Sequence, residues 1–421
     1  MAYISEISLK NIRGFKDLHL VLGDKESQKT PTQTLFIGKN GTGKTTLLRS
    51  IVIGLCDAAD GNALLAEDIG ALIREGSEEA LITITICKYG FSDKIIHKAF
   101  LKNVSGKSVV SGISRETLVG GEHLQIKEDT AEYLQSSDLF VCAYGAGRSG
   151  ASSDNFRPYR IADSVSTLFD YSTPLIDTEL TLRRLQDFRD SAFYKSILKK
   201  IKNVLGLKTK DSIKLPKGGG IIISTPSTGI DIPLNAWADG YLKTFTWIMD
   251  FYAWAMRADA IDENGDIHGI LLIDELEQHL HPELQATLPL KLKKLFPKVQ
   301  LLMTTHSPLL TLGAKAEEII SFKRNNNRIE AITDLPNSEW YSAEDILLDE
   351  DYFNTGVHKP DLNKKLEDYR KILKESPESR TDNQKKKLSK LVKDLKQLQK
   401  PVLEEDPILA ELRDIRKKYN I

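Results

Sequence analysis

The chain has 421 residues, 41% of them hydrophobic, which is enough for a large core and two or three structural units. Its 58 Lys and Arg residues nearly balance 59 Asp and Glu residues, so the net charge of -1 creates no overall basic field for nucleic acid, although it is compatible with a local basic patch. Three widely spaced cysteines in apolar runs predict buried free thiols in a reducing compartment. The start of the chain lacks a signal-peptide pattern and no apolar run approaches the length of a membrane span, so a cytoplasmic location without a membrane is expected.

Alternating apolar and polar residues over 3–22 predict a β-hairpin at the start of the chain. A short apolar run, Gln33–Ile37, follows as a buried strand, and Thr46–Val52 has helical character. Between that strand and that helix lies Gly38-Lys39-Asn40-Gly41-Thr42-Gly43-Lys44-Thr45, which fills every position of the phosphate-binding loop pattern. The sequence therefore predicts a nucleoside triphosphate site early in the chain.

The chemistry of phosphate binding explains the residue types in this loop. Glycines let backbone N–H groups turn toward the β-phosphate, the Lys44 ammonium reaches the β- and γ-phosphates, and the Thr45 hydroxyl can ligate Mg²⁺. The residues predicted to contact ATP are Gly38, Asn40, Gly41, Thr42, Gly43, Lys44, Thr45 and Thr46.

Further along the chain, strand-like apolar runs at 81–87 and 138–144 are expected to share one sheet. Residues 161–206 carry Leu and Phe at helical spacing among charges, which predicts a helical insertion into the β-rich core. After a long helix from Gly240 to about Arg257, strand, helix and strand alternate over 269–305. This alternation is typical of a parallel sheet.

A buried strand, Ile270–Ile273, ends in the paired carboxylates Asp274 and Glu275. Asp274 would hold Mg²⁺ through water, and Glu275 would polarise the attacking water for in-line phosphoryl transfer. One helix and one strand later, His306 follows a strand end and is predicted to sense the γ-phosphate. Because these motifs follow one another in this order, an ordinary surface turn is the less favoured interpretation of the acid pair.

The segment Trp237-Ala238-Asp239-Gly240-Tyr241 lies at a helix start before the acid strand. In order and spacing, the motifs resemble those of the ATP-binding cassette class, in which a signature motif of one subunit closes over ATP held by another. The resemblance implies a homodimer or higher homo-oligomer, with Asp239 and Gly240 as candidate nucleotide contacts. Ala238 stands where the class usually has serine, so one hydroxyl donor is missing. An ordinary helix cap with Asp239 at the N-cap fits the local sequence equally well.

Within this class, the opening Ile7–Phe15 and the segment Glu277–Pro282 resemble the heads of SMC, RecF, Rad50 and OLD-type ATPases. The resemblance implies that Arg13 lies near the nucleotide. It also makes Arg148, in a strand-end loop, a further candidate for a residue near the nucleotide.

Over most of residues 1–373 the chain resembles the PtuA ATPases of Septu-type bacterial anti-phage defence, including the helical insertion and the segment Ser342–Leu348. The resemblance implies an ATPase, with ATP and Mg²⁺ as cofactors, that regulates a separate partner nuclease of HNH type and meets nucleic acid through that complex. Two alternatives stay open, a RecF-like repair ATPase that grips DNA directly and a nucleotide sensor with little turnover. ATP sites of this class also use a glutamine, and both Gln125 and Gln135 stay open as candidates for it.

The expected fold is α/β, an ABC-ATPase head with a P-loop mixed sheet and an N-terminal antiparallel β segment. Residues 1–160 and 207–338 are expected to form this head, residues 161–206 an inserted helical lobe, and residues 339–421 a helical C-terminal extension with a solvated, Lys-rich face. The acidic run Asp349-Glu350-Asp351 is interpreted as a solvated helix end and not as a nuclease metal site.

Overall fold

The structure is a computed structural model that describes residues 2–22, 32–67, 70–88, 94–119, 122–126, 139–148, 151–152, 158–226, 229–326, 328–337, 341–355, 364, 368, 372 and 381–397. Two compact units divide the chain, Met1–Asn354 and Thr355–Ile421. The finer division expected at residues 161, 207 and 339 stays a prediction.

The described strands, in chain order, are β1 (Ala2–Ile12), β2 (Phe15–Val21), β3 (Gln33–Gly38), β4 (Glu79–Lys88), β5 (Lys94–Val104), β6 (Lys107–Val119), β7 (Glu122–Ile126), β8 (Val141–Tyr144), β9 (Ala151–Ser152), β10 (Leu175–Ile176), β11 (Ser212–Lys214), β12 (Ile222–Thr225), β13 (Ile230–Pro233), β14 (His268–Ile273), β15 (Lys298–Thr305), β16 (Ile319–Asn325) and β17 (Arg328–Ile332). The described helices are α1 (Lys44–Leu55), α2 (Ala58–Leu65), α3 (Ile161–Val165), α4 (Thr178–Phe188), α5 (Ser191–Val204), α6 (Asp239–Arg257), α7 (Pro282–Leu295), α8 (Pro308–Thr311), α9 (Ala343–Leu348) and α10 (Asp382–Gln397).

One large sheet is antiparallel, with strand order β2-β1-β4-β5-β6-β7. The predicted hairpin at the start of the chain is confirmed, since β1 and β2 pair from Glu6 opposite Val21 to Ile12 opposite Phe15. Its apolar positions alternate with polar ones, so one face is buried against the core and the other faces solvent.

The second large sheet has the order β17-β16-β3-β15-β14-β8, and all of its pairs are parallel except β16 with β17. Its central strands are mostly apolar and buried on both faces, as expected for parallel strands covered by helices. The strand before the phosphate loop, β3, lies beside β15, and β15 lies beside β14 with its terminal acids. The carboxyl ends of these three strands therefore meet at one edge of the sheet.

The expectation that the strands at 81–87 and 138–144 share one sheet is wrong. The first belongs to β4 in the antiparallel sheet, and the second ends in β8 at the edge of the parallel sheet. The difference follows from their patterns, because the alternating Ile and Thr residues of β4 suit a sheet with one buried face, whereas β8 is buried at every position. A buried amide joins the two sheets, since Gln300 on β15 bonds both the N–H and the carbonyl of Ile4 on β1 at 2.8 Å.

The helical character predicted for residues 161–206 is present in α3, a short 3-10 turn, α4 and α5, with the two-residue strand β10 between them. Asp177 caps α4 and Asp190 caps α5, each accepting a backbone N–H at 2.8 Å, which explains where these helices begin. The three cysteines are free and buried, as the sequence predicted. Among the described residues, no helix combines the length and apolar character needed to cross a bilayer.

Candidate functional site

The phosphate loop connects β3 directly to α1. Gly43 occupies the N-cap with a φ of 85°, a left-handed conformation that a residue with a Cβ adopts only at a cost, and the Phe15 ring lies against its open side. Lys44 is therefore the first residue of α1, and the positive end of the helix faces the loop. Lys39, Asn40 and Gly41 are exposed at the tip, where a phosphate can reach their backbone.

The Lys44 side chain is buried and folded back over the loop. Its ammonium donates to the Gly38 carbonyl at 2.7 Å and to the Lys39 carbonyl at 3.1 Å. Burial lowers the pKa of Lys44 to about 8, partly offset by the charge of Asp274. The same ammonium lies 3.2 Å from His306 Nδ1, which is also 3.0 Å from the Gly38 carbonyl oxygen. The structure thus brings His306 to the phosphate loop.

The acid strand and the phosphate loop meet through Asp274. This carboxylate is 1% exposed, and its Oδ2 accepts the Thr45 hydroxyl at 2.8 Å. Its Oδ1 accepts the Thr304 hydroxyl at 2.6 Å. Both carboxylate oxygens are therefore held, one by α1 and one by β15.

Glu275 follows with a positive φ of 48°, an uncommon backbone conformation for a residue with a side chain. Its N–H donates to Thr304 Oγ1 at 2.8 Å. Its Oε1 lies 3.8 Å from His306 Nε2, and both side chains are partly exposed. Burial raises the pKa of Glu275, and the neighbouring Asp274 charge raises it further. A carboxylate less acidic than usual and open to solvent suits a group that must polarise a water.

Arg13 lies in the turn between β1 and β2, close to the first turn of α1. Its Nε donates to the Ala71 carbonyl at 2.9 Å, and Nη1 lies 3.4 Å from Thr46 Oγ1. Burial lowers the pKa of Arg13, and Arg49 lowers it further. The structure therefore connects Arg13 with Thr46, which is itself buried.

The signature-like segment lies at the start of α6, where Ala238 is the N-cap without a side-chain bond. The alternative with Asp239 as the N-cap is wrong, because Asp239 is the first helical residue, and an exposed one. Gly240 packs tightly on the loop after the acid pair, and a Cβ there would overlap the carbonyl oxygen of His279. The nearest atoms to this position come from that loop of the same chain.

Of the remaining candidate residues, Arg148, Gln125 and Gln135, the two that the structure describes do not lie in one place. Arg148 is buried and turns its guanidinium to the backbone carbonyls of Asp274 and Glu275. Gln125 lies on β7, the edge strand of the antiparallel sheet, opposite Glu116. Gln135 lies outside the described residues.

Two side chains that the sequence interpretation gave no role complete the arrangement. Thr304 bridges the acid pair, and Glu277 accepts the N–H of His306 at 2.5 Å through Oε1. Their signal in the sequence was position alone, since Thr304 lies two residues before His306 and Glu277 lies two residues after Glu275. Only the parallel pairing of β14 with β15 brings these two strand ends together.

The donor atoms at this edge fit a magnesium ion in chemistry. The Thr45 hydroxyl and the Asp274 carboxylate present hard oxygen atoms that touch each other directly across the loop and the strand end. Magnesium binds through few protein oxygens and takes its other ligands from waters and substrate phosphates. The two protein oxygens of Thr45 and Asp274 match this requirement in number and type.

Comparisons with known proteins agree with this geometry. The family described as an AAA ATPase domain matches residues 2–138, and the family described as an AAA domain, putative AbiEii toxin, Type IV TA system, matches residues 151–312. The Septu protein PtuA of Bacillus mycoides (strain KBAB4) is 24% identical over 403 residues, which cover 94% of this chain and 51% of that protein. The Septu protein PtuA of Bacillus thuringiensis is 25% identical over 369 residues, which cover 83% of this chain and 84% of that protein.

The chain is similar to PtuA over most of its length. The resemblance predicted from the motifs is therefore confirmed, and so is the α/β fold of an ATPase head, whose parallel sheet presents the phosphate loop beside the acid strand. The chain spans about half the length of the B. mycoides relative. Among solved structures, the SMC head domain from Thermotoga maritima is similar at 12% identity with a TM-score of 0.45, covering 79% of this chain and 99% of that chain.

Proposed function

We propose that this chain binds ATP and Mg²⁺ and hydrolyses ATP to ADP and phosphate. The observation that carries the proposal is the 2.8 Å bond from the Thr45 hydroxyl to Asp274, two residues 229 positions apart in the chain. A phosphate-loop hydroxyl and a strand-end carboxylate in contact are the pair that holds a nucleotide-bound magnesium in P-loop ATPases. The AAA ATPase family matches support the same chemistry.

Each side chain at the site has a role in this proposal. The Lys44 ammonium exchanges its carbonyl partners for the β- and γ-phosphates, and the exposed loop amides bind the phosphate oxygens. Glu275 orients the attacking water and accepts its proton, while His306, which contacts both Glu275 and the loop, senses the γ-phosphate. Magnesium, when bound, neutralises charge on the phosphates, and Thr45 and Asp274 are the residues that would hold it.

The proposed enzyme works as a homodimer or higher homo-oligomer. Asp239 and Ala238 are exposed at the N-terminal end of α6, and Gly240 packs on the loop after the acid pair of its own chain. An exposed helix N-terminus is suited to the phosphates of a nucleotide held by a second copy. In this arrangement Asp239 and Gly240 of one chain complete the ATP site of the next.

The biological output proposed for the chain is control of a separate nuclease, of HNH type, in bacterial anti-phage defence, with nucleic acid met through the complex. The similarity to two Septu PtuA proteins supports this assignment. The acidic run after α9 is engaged elsewhere, because Asp351 pairs with Lys323 and Asp349 accepts a bond from Tyr341. We therefore assign the cutting activity to the partner. A cytoplasmic location is part of the same proposal.

The test is ATP turnover by the purified chain, alone and with any nuclease found to be encoded beside it. The Glu275→Gln variant should keep ATP affinity and lose turnover, because the amide keeps the shape of the side chain and cannot accept the proton. Undiminished hydrolysis by this variant would refute the role of Glu275. Tight ATP binding with almost no turnover in the wild type would instead favour a nucleotide sensor, consistent with the missing hydroxyl at Ala238.

A further inference from the structure

Arg148 is a buried cation without an ion-pair partner among the described residues. It is 6% exposed and lies in the loop after β8. Its Nε donates to the Gly145 carbonyl at 3.0 Å, and its Nη2 donates to the carbonyls of Asp274 and Glu275 at 2.8 and 2.5 Å. A buried charge is costly, and here all three of these bonds go to backbone oxygens.

The Arg148 guanidinium stays charged in spite of its burial. Burial lowers its pKa to about 10, and the carboxylates of Asp274, Glu277 and Glu275 offset part of that effect. At neutral pH the guanidinium is therefore cationic, and its bonds to the two carbonyls have the strength of charge-assisted hydrogen bonds. Lysine could reproduce only part of the set, because one ammonium cannot replace both Nε, which bonds the Gly145 carbonyl, and Nη2, which bonds the other two.

Arg148 and Thr304 hold opposite ends of one residue. The Glu275 N–H donates to the Thr304 hydroxyl, and the Glu275 carbonyl accepts from Arg148. The backbone between these two bonds is the one with the positive φ of 48°. A conformation that is uncommon for a residue with a Cβ persists only where the surroundings impose it, and these two bonds are such constraints.

The loop that carries Arg148 is itself fixed in place. Gly145 and Gly147 pass so close to the segment Thr167–Tyr171 that a Cβ at Gly147 would lie 2.7 Å from the Tyr171 carbonyl oxygen. That segment is bound to α1, because Arg49 donates to the Leu168 carbonyl at 2.9 Å. The loop that carries the guanidinium therefore packs against a segment that is hydrogen-bonded to the phosphate-loop helix.

We propose that Arg148 is a positioning residue that sets the orientation of Glu275 for attack on ATP. This inference rests on the proposed ATPase function. Arg148 does not touch the substrate; it acts on the reaction through the backbone of Glu275. Its removal should therefore lower the rate of the chemical step and leave ATP affinity almost unchanged.

The experiment compares Arg148→Met and Arg148→Lys with Arg189→Met as a matched control. Arg189, which directly follows α4, also donates to backbone carbonyls. Its acceptors are the carbonyls of Asp262 and Glu263, at 2.9 and 3.0 Å. For each protein, kcat and KM for ATP come from steady-state phosphate release, ATP affinity from calorimetry, and folding from thermal unfolding.

We expect Arg148→Met to lower kcat by roughly 30- to 300-fold with KM and Kd within about threefold of wild type, since only the orientation of the catalytic group is lost. Arg148→Lys should recover part of the loss, and Arg189→Met should keep wild-type kcat. If Arg148→Met does not fold, Arg148→Gln, whose amide still donates one bond, replaces it in the same measurements of kcat, KM and Kd.

Two results would overturn the proposal. A folded Arg148→Met protein that keeps kcat within about threefold of wild type would show that Glu275 needs no such support. Loss of ATP affinity in parallel with kcat would show that Arg148 serves nucleotide binding or general stability. Failure of the proposed function is a separate outcome, because it appears in the wild type as turnover that is absent or insensitive to Glu275→Gln.

Discussion

Replacing Thr304 by Val removes one hydroxyl that serves both acids of the site. The side chain keeps its branched shape, but Asp274 loses a donor at 2.6 Å and the Glu275 N–H loses its acceptor at 2.8 Å. Thr304 is fully buried, so water cannot replace these bonds easily. A hydrogen bond to a charged group is worth about 1.5–3 kcal/mol and an unpaired buried donor costs about 1–3 kcal/mol.

If about 2–3 kcal/mol of these losses appear in the transition state, kcat should fall by roughly 30- to 150-fold, since each ~1.4 kcal/mol is a factor of ten. ATP affinity should change by less than about threefold, because the phosphate loop keeps its own contacts. The assay is steady-state phosphate release together with calorimetric ATP binding. Thermal unfolding confirms that the variant is folded.

Two controls accompany this variant. Thr304→Ser keeps the hydroxyl and should keep most of the activity. Thr305→Val removes a buried hydroxyl from the next residue of β15, where Oγ1 accepts only the Ser307 N–H among the described residues, and should keep kcat. Wild-type turnover in Thr304→Val, or an equal loss in Thr304→Ser, would refute the reasoning.

Further predictions concern nucleotide binding, the shared site and the partner. Lys44→Ala should weaken ATP binding at least about tenfold, because a buried cation between two phosphates is lost; unchanged affinity in calorimetry would contradict the phosphate-loop assignment. Mixing Lys44→Ala chains with Ala238→Asp chains, whose added carboxylate at the exposed helix N-cap would repel the γ-phosphate held by the other chain, should restore part of the turnover that each lacks alone, since mixed dimers contain one intact site; no recovery despite demonstrated mixed dimers would argue against a site shared between chains. Deleting residues 377–421, which include the amphipathic helix α10, should abolish capture of the partner nuclease and leave ATP binding intact; retained capture would move the docking surface to the helical insertion. The purified chain should not cut DNA, and metal-dependent cleavage that is lost in Asp349→Ala/Asp351→Ala would make it a nuclease in its own right.

The local features of the site could be predicted from the sequence because each depends on neighbouring residues. The glycine pattern of the phosphate loop, the acid pair at the end of an apolar strand and the His after another strand are short motifs with direct chemical meaning. The helical insertion was equally predictable, since its apolar residues recur at helical spacing and Asp177 and Asp190 cap its helices.

Tertiary structure alone decided which strands pair and which polar groups meet. The runs at 81–87 and 138–144 differ in pattern, but no pattern specifies the strand that each one pairs with; they joined different sheets because pairing depends on partners far away in the chain. The same is true of Thr304 and Arg148, whose partners lie 29 to 127 positions away. A threonine in a strand and an arginine in a loop are common; it is the parallel order of β14 between β15 and β8 that places them on either side of Glu275.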